Sequence, residues 1–207
     1  MNILRVKEKA LELLERVEED NSYLHLLLQQ EAEQMTAAPD EYPVLVQLVR
    51  GVLQNRTALD QTLSPYLTKG LSSLPNHIQH LLRLGAYQIL FLDRVKKRDV
   101  VFEAVEIAKR GKFRGLANLV NAVLRKIEAP TTSDSDKPYN AAVNFPEWLI
   151  TRWSTQFGEE EVRRFCAACS QALPVYIRVN TLQTSIESLR MALAAEGVQA
   201  ESTPLSE

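Results

Sequence analysis

Cysteine is scarce in this chain: Cys166 and Cys169 are the only two thiols in 207 residues. So few exclude a disulfide framework and point to a reducing compartment, with the cytoplasm as the default. They also leave little for a metal. Cys166-Ala-Ala-Cys169 has C-x-x-C spacing, but a structural zinc needs four ligands, and neither a second pair nor a histidine lies nearby. Both thiols fall on the helix face of Val162 and Phe165, which reads as two buried core cysteines. His77 and His80 stand at i, i+3 with no thiol or carboxylate to complete a set, and read as packing or surface histidines. Also missing are G-x-x-x-x-G-K-[ST], G-x-G-x-x-G and G-x-S-x-G, so there is no Gly-rich nucleotide loop and no nucleophile elbow. No apolar run approaches the roughly 20 residues of a membrane span. The N-terminal MNILRVKEKALELLERV has charges throughout and is not a signal peptide. Neither membrane nor metal is expected.

What is present is apolar periodicity. Hydrophobic residues make up 45% of the chain and charged ones 24%, ordinary for a globular protein with a sizeable core. The stretch 78–127 carries three helical blocks at i, i+3, i+4, i+7 spacing. Ile78, Leu81, Leu82, Gly85, Ile89 and Leu92 form the first. Val101, Ala104, Val105 and Ala108 form the second, and Leu116 to Ile127 supplies the third. Asp99 is placed to cap the second helix, and Gly111 to end it in a left-handed conformation. Gly85, on a buried face, would let a neighbouring helix approach closely. The first of these helices is expected to be central.

Charge is lopsided over the same stretch. Residues 94–126 hold ten basic and three acidic side chains, a net of +7 in a chain of net −2. Such a patch is either a phosphate-binding surface or a solvated helix face with cations at helix C-termini. Gly111-Lys-Phe-Arg-Gly115 is either a loop that wraps a phosphate or an ordinary interhelical turn.

In chain order, helices are expected over Ile3–Val17 and Leu24–Gln34, and from Pro43 running on as far as Tyr66. The central helix starts at Pro75. Six or seven helices in residues 3–128 make a compact all-α domain. Residues 129–145, rich in Pro, Ser, Thr and Asp, read as a linker. Beyond it come two helices broken at Gly158, then alternation in Val175–Asn180 that marks a strand. A capping box at Thr184–Glu187 opens another helix, Gly197 ends it, and 198–201 begins a second strand. A sheet of one or two strands is not independently stable, so 146–207 reads as the opening of a larger α+β unit.

Several of these stretches carry a resemblance. LLRLGAYQILFLDRV (81–95), EAVEIAK (103–109) and LVNAVLRK (119–126) resemble the N-terminal domain of the bacterial ribosomal RNA small-subunit methyltransferase B family. That domain is similar to the antitermination factor NusB. PEWLITRW (146–153) and IRVNTLQTS (177–185) resemble the part of the family that follows. The resemblance implies a mainly α chain: a NusB-like all-α bundle, then a small, truncated α+β subdomain like an RNA-recognition fold. It also implies a catalytic half that binds S-adenosylmethionine and uses a cysteine to attack C6 of a cytosine in 16S rRNA, so that C5 takes the methyl group. The cofactor loop and the Pro-Cys of that half are absent from these residues, and Cys166 and Cys169 precede the strand and do not stand in for it. The chain is expected not to methylate RNA alone, and to partner 16S rRNA and its own catalytic domain. There are departures: Glu41-Tyr42 stands where the family usually has Asp-Arg. Lys96 and Phe102 stand where it often has Pro and Asn.

On this reading the residues expected to touch RNA are Arg5, Lys7, Lys96, Lys97, Arg98, Lys109, Arg110, Lys112, Arg114 and Arg178. Two other readings remain open: a stand-alone NusB-like module that regulates transcription, and a helical domain that only packs against its own catalytic half.

Overall fold

The computed structural model describes residues 3–20, 22–34, 40–93, 95–128, 144–169 and 175–203. Arg94, the 35–39 break and nearly all of the expected linker lie outside them. Compact packing divides the chain into two units, residues 1–170 and 171–207.

The first unit is built around one helix. In chain order its α-helices are α1 (Ile3–Glu19), α2 (Leu24–Gln34), α3 (Glu41–Gln54), α4 (Arg56–Leu63), α5 (Asn76–Phe91), α6 (Lys97–Arg110), α7 (Ala117–Lys126), α8 (Glu147–Phe157) and α9 (Glu159–Cys169). As the apolar blocks predict, α5 is central: Ile78 and every residue from His80 to Ile89 are buried. It packs against α1, α3, α4, α6 and α7. Its neighbours each give it one apolar stripe, for example Val6, Ala10, Leu13 and Leu14 from α1 and Val120, Val123 and Leu124 from α7.

Two glycines set the closest approaches. A Cβ on Gly85 would stand 2.7 Å from Leu124 Cδ1, so α7 does lie close to α5 there. Gly51 on α3 is tighter still, its ideal Cβ position 2.0 Å from Tyr87 Cζ. The Tyr87 ring therefore occupies the space that a side chain at 51 would fill.

Several local expectations are corrected. The helix expected from Pro43 to Tyr66 breaks at Asn55 (φ −107°, ψ 14°) into α3 and α4, with a 3₁₀ turn over Ser64–Tyr66. The apolar stripe continues through the break because both helices face α5. Asp99 is not the cap of α6. Lys96 holds that position, and Asp99 lies in the first turn, where its charge favours the helix dipole. Gly111 is extended (φ −98°, ψ −177°) rather than left-handed.

A smaller cluster joins α8 to α9 across Gly158, whose φ of 85° suits glycine. Val162 and Cys166 are buried against Phe145, Ile150 and Trp153, and Phe165 meets Trp153 edge-on with ring centroids 5.2 Å apart. Only Cys166 is a core thiol, since Cys169 is exposed. Burial pushes the Cys166 thiol up from its ordinary range, the direction of an inert side chain. Asn144, just ahead of α8, accepts a hydrogen bond from the Ala58 amide (3.3 Å) and donates one to Asn55 Oδ1 (3.4 Å).

The second unit contains α10 (Ile186–Ala195). Its cap is Ser185, whose hydroxyl accepts from the Ser188 amide, one residue beyond the expected Thr184. Gly197 (φ 81°) closes it, and the Val198 amide donates to the Leu193 carbonyl, the bonding of a Schellman motif. No strand forms among the described residues. The segment 175–180 has the expected alternation but no ladder, and Val175, Tyr176 and Ile177 are exposed. A strand is defined by its neighbour's hydrogen bonds, which periodicity alone does not supply.

Candidate nucleic-acid interface

The groove between α6 and α7 gathers cations from two helices. It encloses about 680 Å³, with Lys97, Arg98 and Lys109 contributed by α6 and Arg125 by α7. Helical spacing explains the gathering. Arg98, Phe102 and Glu106 follow one another four residues apart on α6, as do Asn121 and Arg125 on α7, so each set lies on one face. Between the charges the groove is apolar, lined by Val101, Phe102 and Val105. Val101 is buried and belongs to the core, whereas Phe102 is 63% exposed.

The electrostatics are uneven along the groove. Lys109 Nζ donates to Glu106 Oε1 at 2.9 Å, and that bond holds the Glu106 carboxyl below its ordinary range. Lys109 is thus partly neutralised. Among the described residues, Lys97, Arg98 and Arg125 have no ion-pair partner, which leaves three cations for an anionic ligand.

The other expected contacts scatter. Lys7 is a correction: it is 3% exposed and bonded to Glu103 on α6. Position 7 shares the inner face of α1 with Ala10 and Leu14, so its ammonium is turned inward and needs Glu103 to compensate for lost water. Burial lowers the Lys7 pKa, with Glu103 opposing the shift. Arg110 reaches across to Glu8 on α1 at 3.2 Å. Lys112 lies over the Phe113 ring at 5.0 Å and faces a separate cleft with Glu15 and His77. Arg5, Lys96 and Arg114 are exposed but do not line the groove, and Arg178 is exposed in the second unit. Three of the ten expected contacts therefore meet in one place. Phe102, Asn121 and Arg125 also line the groove, although they are not among those ten. For Phe102 the signal was an aromatic residue lying off the core stripe of its own helix.

A second charged cluster is internal. His80 is 2% exposed, with Nε2 2.8 Å from Glu18 Oε2 but off the line of a hydrogen bond. Arg83 donates to Asp60 from Nε (2.7 Å) and Nη2 (3.0 Å), and Arg56 bonds Glu18. Burial, helped by the Arg83 charge, lowers the His80 pKa to about 4, so the ring is neutral at pH 7. The described residues contain no group of three or more metal-ligating side chains, and no helix long and apolar enough to cross a membrane.

The class of fold on view is an all-helical bundle wrapped on one buried helix, with a cationic groove on its outside. Residues 4–129 match the NusB family and residues 145–207 match the Methyltr_RsmF/B-like, ferredoxin-like domain. The chain belongs to the NusB family, and its NusB domain is followed by a Methyltr_RsmF/B-like, ferredoxin-like domain. It is 34% identical to the probable ribosomal RNA small subunit methyltransferase B of Bacillus subtilis, over 98% of this chain and 46% of that protein. It is 31% identical to transcription antitermination protein NusB of Xanthomonas oryzae pv. oryzae, over 60% of this chain and 85% of that one. Among solved structures, T. maritima NusB superposes with a TM-score of 0.57 at 25% identity, covering 63% of this chain and 94% of its own. The chain spans about half the length of the methyltransferase relatives it matches.

Proposed function

We propose that this chain is the RNA-binding, N-terminal portion of an S-adenosylmethionine-dependent 16S rRNA cytosine-C5 methyltransferase, and that it recognises and positions the rRNA. The observation that carries the reading is the α6/α7 groove, where Lys97, Arg98 and Arg125 converge without carboxylate partners in a chain of net charge −2. Local positive potential in an acidic protein attracts phosphate while disfavouring indiscriminate binding. The match over 145–207 favours this reading over a stand-alone antitermination module, since the NusB relative aligns with only 60% of the chain.

The residues here do not fit the nucleophile. No Pro-Cys occurs in the sequence, and Cys166 is buried with its thiol raised. The work proposed for these residues is therefore binding and orientation, with methyl transfer assigned to the catalytic half of the protein and 129–145 linking the helical domain to 146–207.

The test is a fluorescence anisotropy titration of the chain with a 16S rRNA hairpin at several salt concentrations. Three phosphate contacts predict a slope of log K against log salt of about −2 to −3. Reversing Arg98 and Arg125 to Glu together should weaken binding and bring the slope toward zero, whereas Arg163→Glu on α9 should do neither. Binding that ignores salt, or that survives the double reversal unchanged, removes the groove from the reading.

A further inference from the structure

Phe102 is unexplained by the packing of its own helix. The core side of α6 is complete without it: Val100, Val101, Ala104, Ile107 and Ala108 are buried. Single exposed apolar side chains are ordinary, but this ring, 63% exposed, lines a cationic groove and is open to a partner there. Its surroundings say what kind. It follows Arg98 by one helical turn, faces Arg125 across the groove, and has the Asn121 amide on the opposite wall. An aromatic ring set among cations and one amide matches the chemistry of an unstacked nucleobase: a π-face to stack, phosphates to neutralise on either side, and a base edge for an amide. A duplex offers no free base face, so the ring has nothing to stack on in double-stranded RNA.

We propose that the α6/α7 groove is a subsite for single-stranded RNA, in which one unstacked base lies on the Phe102 ring while Arg98 and Arg125 hold the flanking phosphates. This deepens the RNA-binding reading and rests on it. It predicts that the domain grips loops or opened strands rather than helical stems.

The experiment uses the whole chain, a fluorescein-labelled mixed-sequence RNA 12-mer, and the same strand annealed to its complement. Because Phe102 is exposed, Phe102→Ala should keep the helical circular dichroism of the parent. It is expected to weaken single-strand binding about 5- to 160-fold, the range for losing one stacked base, with the salt slope unchanged. Phe102→Tyr keeps the ring and should restore affinity to within about twofold. Duplex affinity should be lower in the parent and insensitive to either change. If the parent binds RNA with the expected salt slope but Phe102→Ala binds the single strand equally well, the stacking subsite is overturned and the RNA reading stands. If the parent binds neither RNA at low salt, the RNA reading itself falls. A polyglutamate peptide that binds as tightly as the single strand, and loses as much from Phe102→Ala, would mean that the groove takes an acidic protein segment instead.

Discussion

Replacing Gly51 by alanine should destabilise the bundle, although alanine is the better helix former. An added Cβ would stand 2.0 Å from Tyr87 Cζ, 2.3 Å from Oη and 2.4 Å from Cε2. Carbon atoms in contact sit about 3.5–4.0 Å apart, so the ring must move by roughly 1.5 Å. It has little room to do so: Tyr87 is 8% exposed and stacks on Phe91 with centroids 5.4 Å apart. Overpacking of this kind costs about 1–3 kcal/mol, and a rigid ring belongs at the upper end. Helix propensity returns about 1 kcal/mol. The net is a loss of about 2 kcal/mol, or about 4–8 °C in Tm for a unit of this size. Urea unfolding followed at 222 nm measures it. A double-mutant cycle identifies the cause: Tyr87→Leu removes the ring, so Gly51→Ala should cost at least about 1 kcal/mol less in that background. Gly111→Ala is the control, because nothing lies within 4 Å of a Cβ there and its φ is ordinary, so a change within about 0.5 kcal/mol is expected. A stable Gly51→Ala protein, or strict additivity with Tyr87→Leu, would refute the reasoning.

Three further outcomes are expected. Lys7→Met should cost about 3 kcal/mol by leaving Glu103 half-buried and unpaired, and adding Glu103→Leu should recover most of it; neither protein should change its salt slope for RNA, and a reduced slope would return Lys7 to the interface. Lowering the pH should weaken the fold. Between 6.5 and about 4 the unfolded chain binds a proton at His80 that the folded one refuses, and Glu18, whose folded pKa is lowered, adds loss in the same direction at the acid end. The His80 gap is worth at most about 3 kcal/mol, so urea midpoints should fall from pH 7 to pH 4.5 and fall less in His80→Gln; equal slopes in both proteins would count against it. Gly85→Ala should be milder than Gly51→Ala, since the Leu124 methyls it meets can rotate away, and thermal melts that rank the two in reverse would contradict that.

How far the sequence could be read follows from what each signal depends on. The burial of α5 and the close approach at Gly85 were legible, because both are properties of one helix and its apolar period. The break at Asn55 was not, because α3 and α4 continue a single stripe toward a shared neighbour. Lys7 misled for a related reason: a lone charge is assigned outward by default, and only the partner 96 residues away shows it turned in. The cationic patch was visible as composition, but composition does not tell groove from rim. Arg110 bends to Glu8 while Arg125, on another helix, joins Arg98. In 175–180 the alternation was right for a strand, yet a ladder is made by two chains' worth of backbone and one was read.

The burial of α5 has a consequence for how such a domain changes over time. From His80 to Ile89 the axle of the bundle is buried, so a ligand has almost none of it to press on directly. Whatever the outward sides of α6 and α7 carry can be rewritten, residue by residue, without disturbing the hub on which they turn. A position such as 102 is then free to be repurposed, and one architecture can serve many cargoes by changing only its rim.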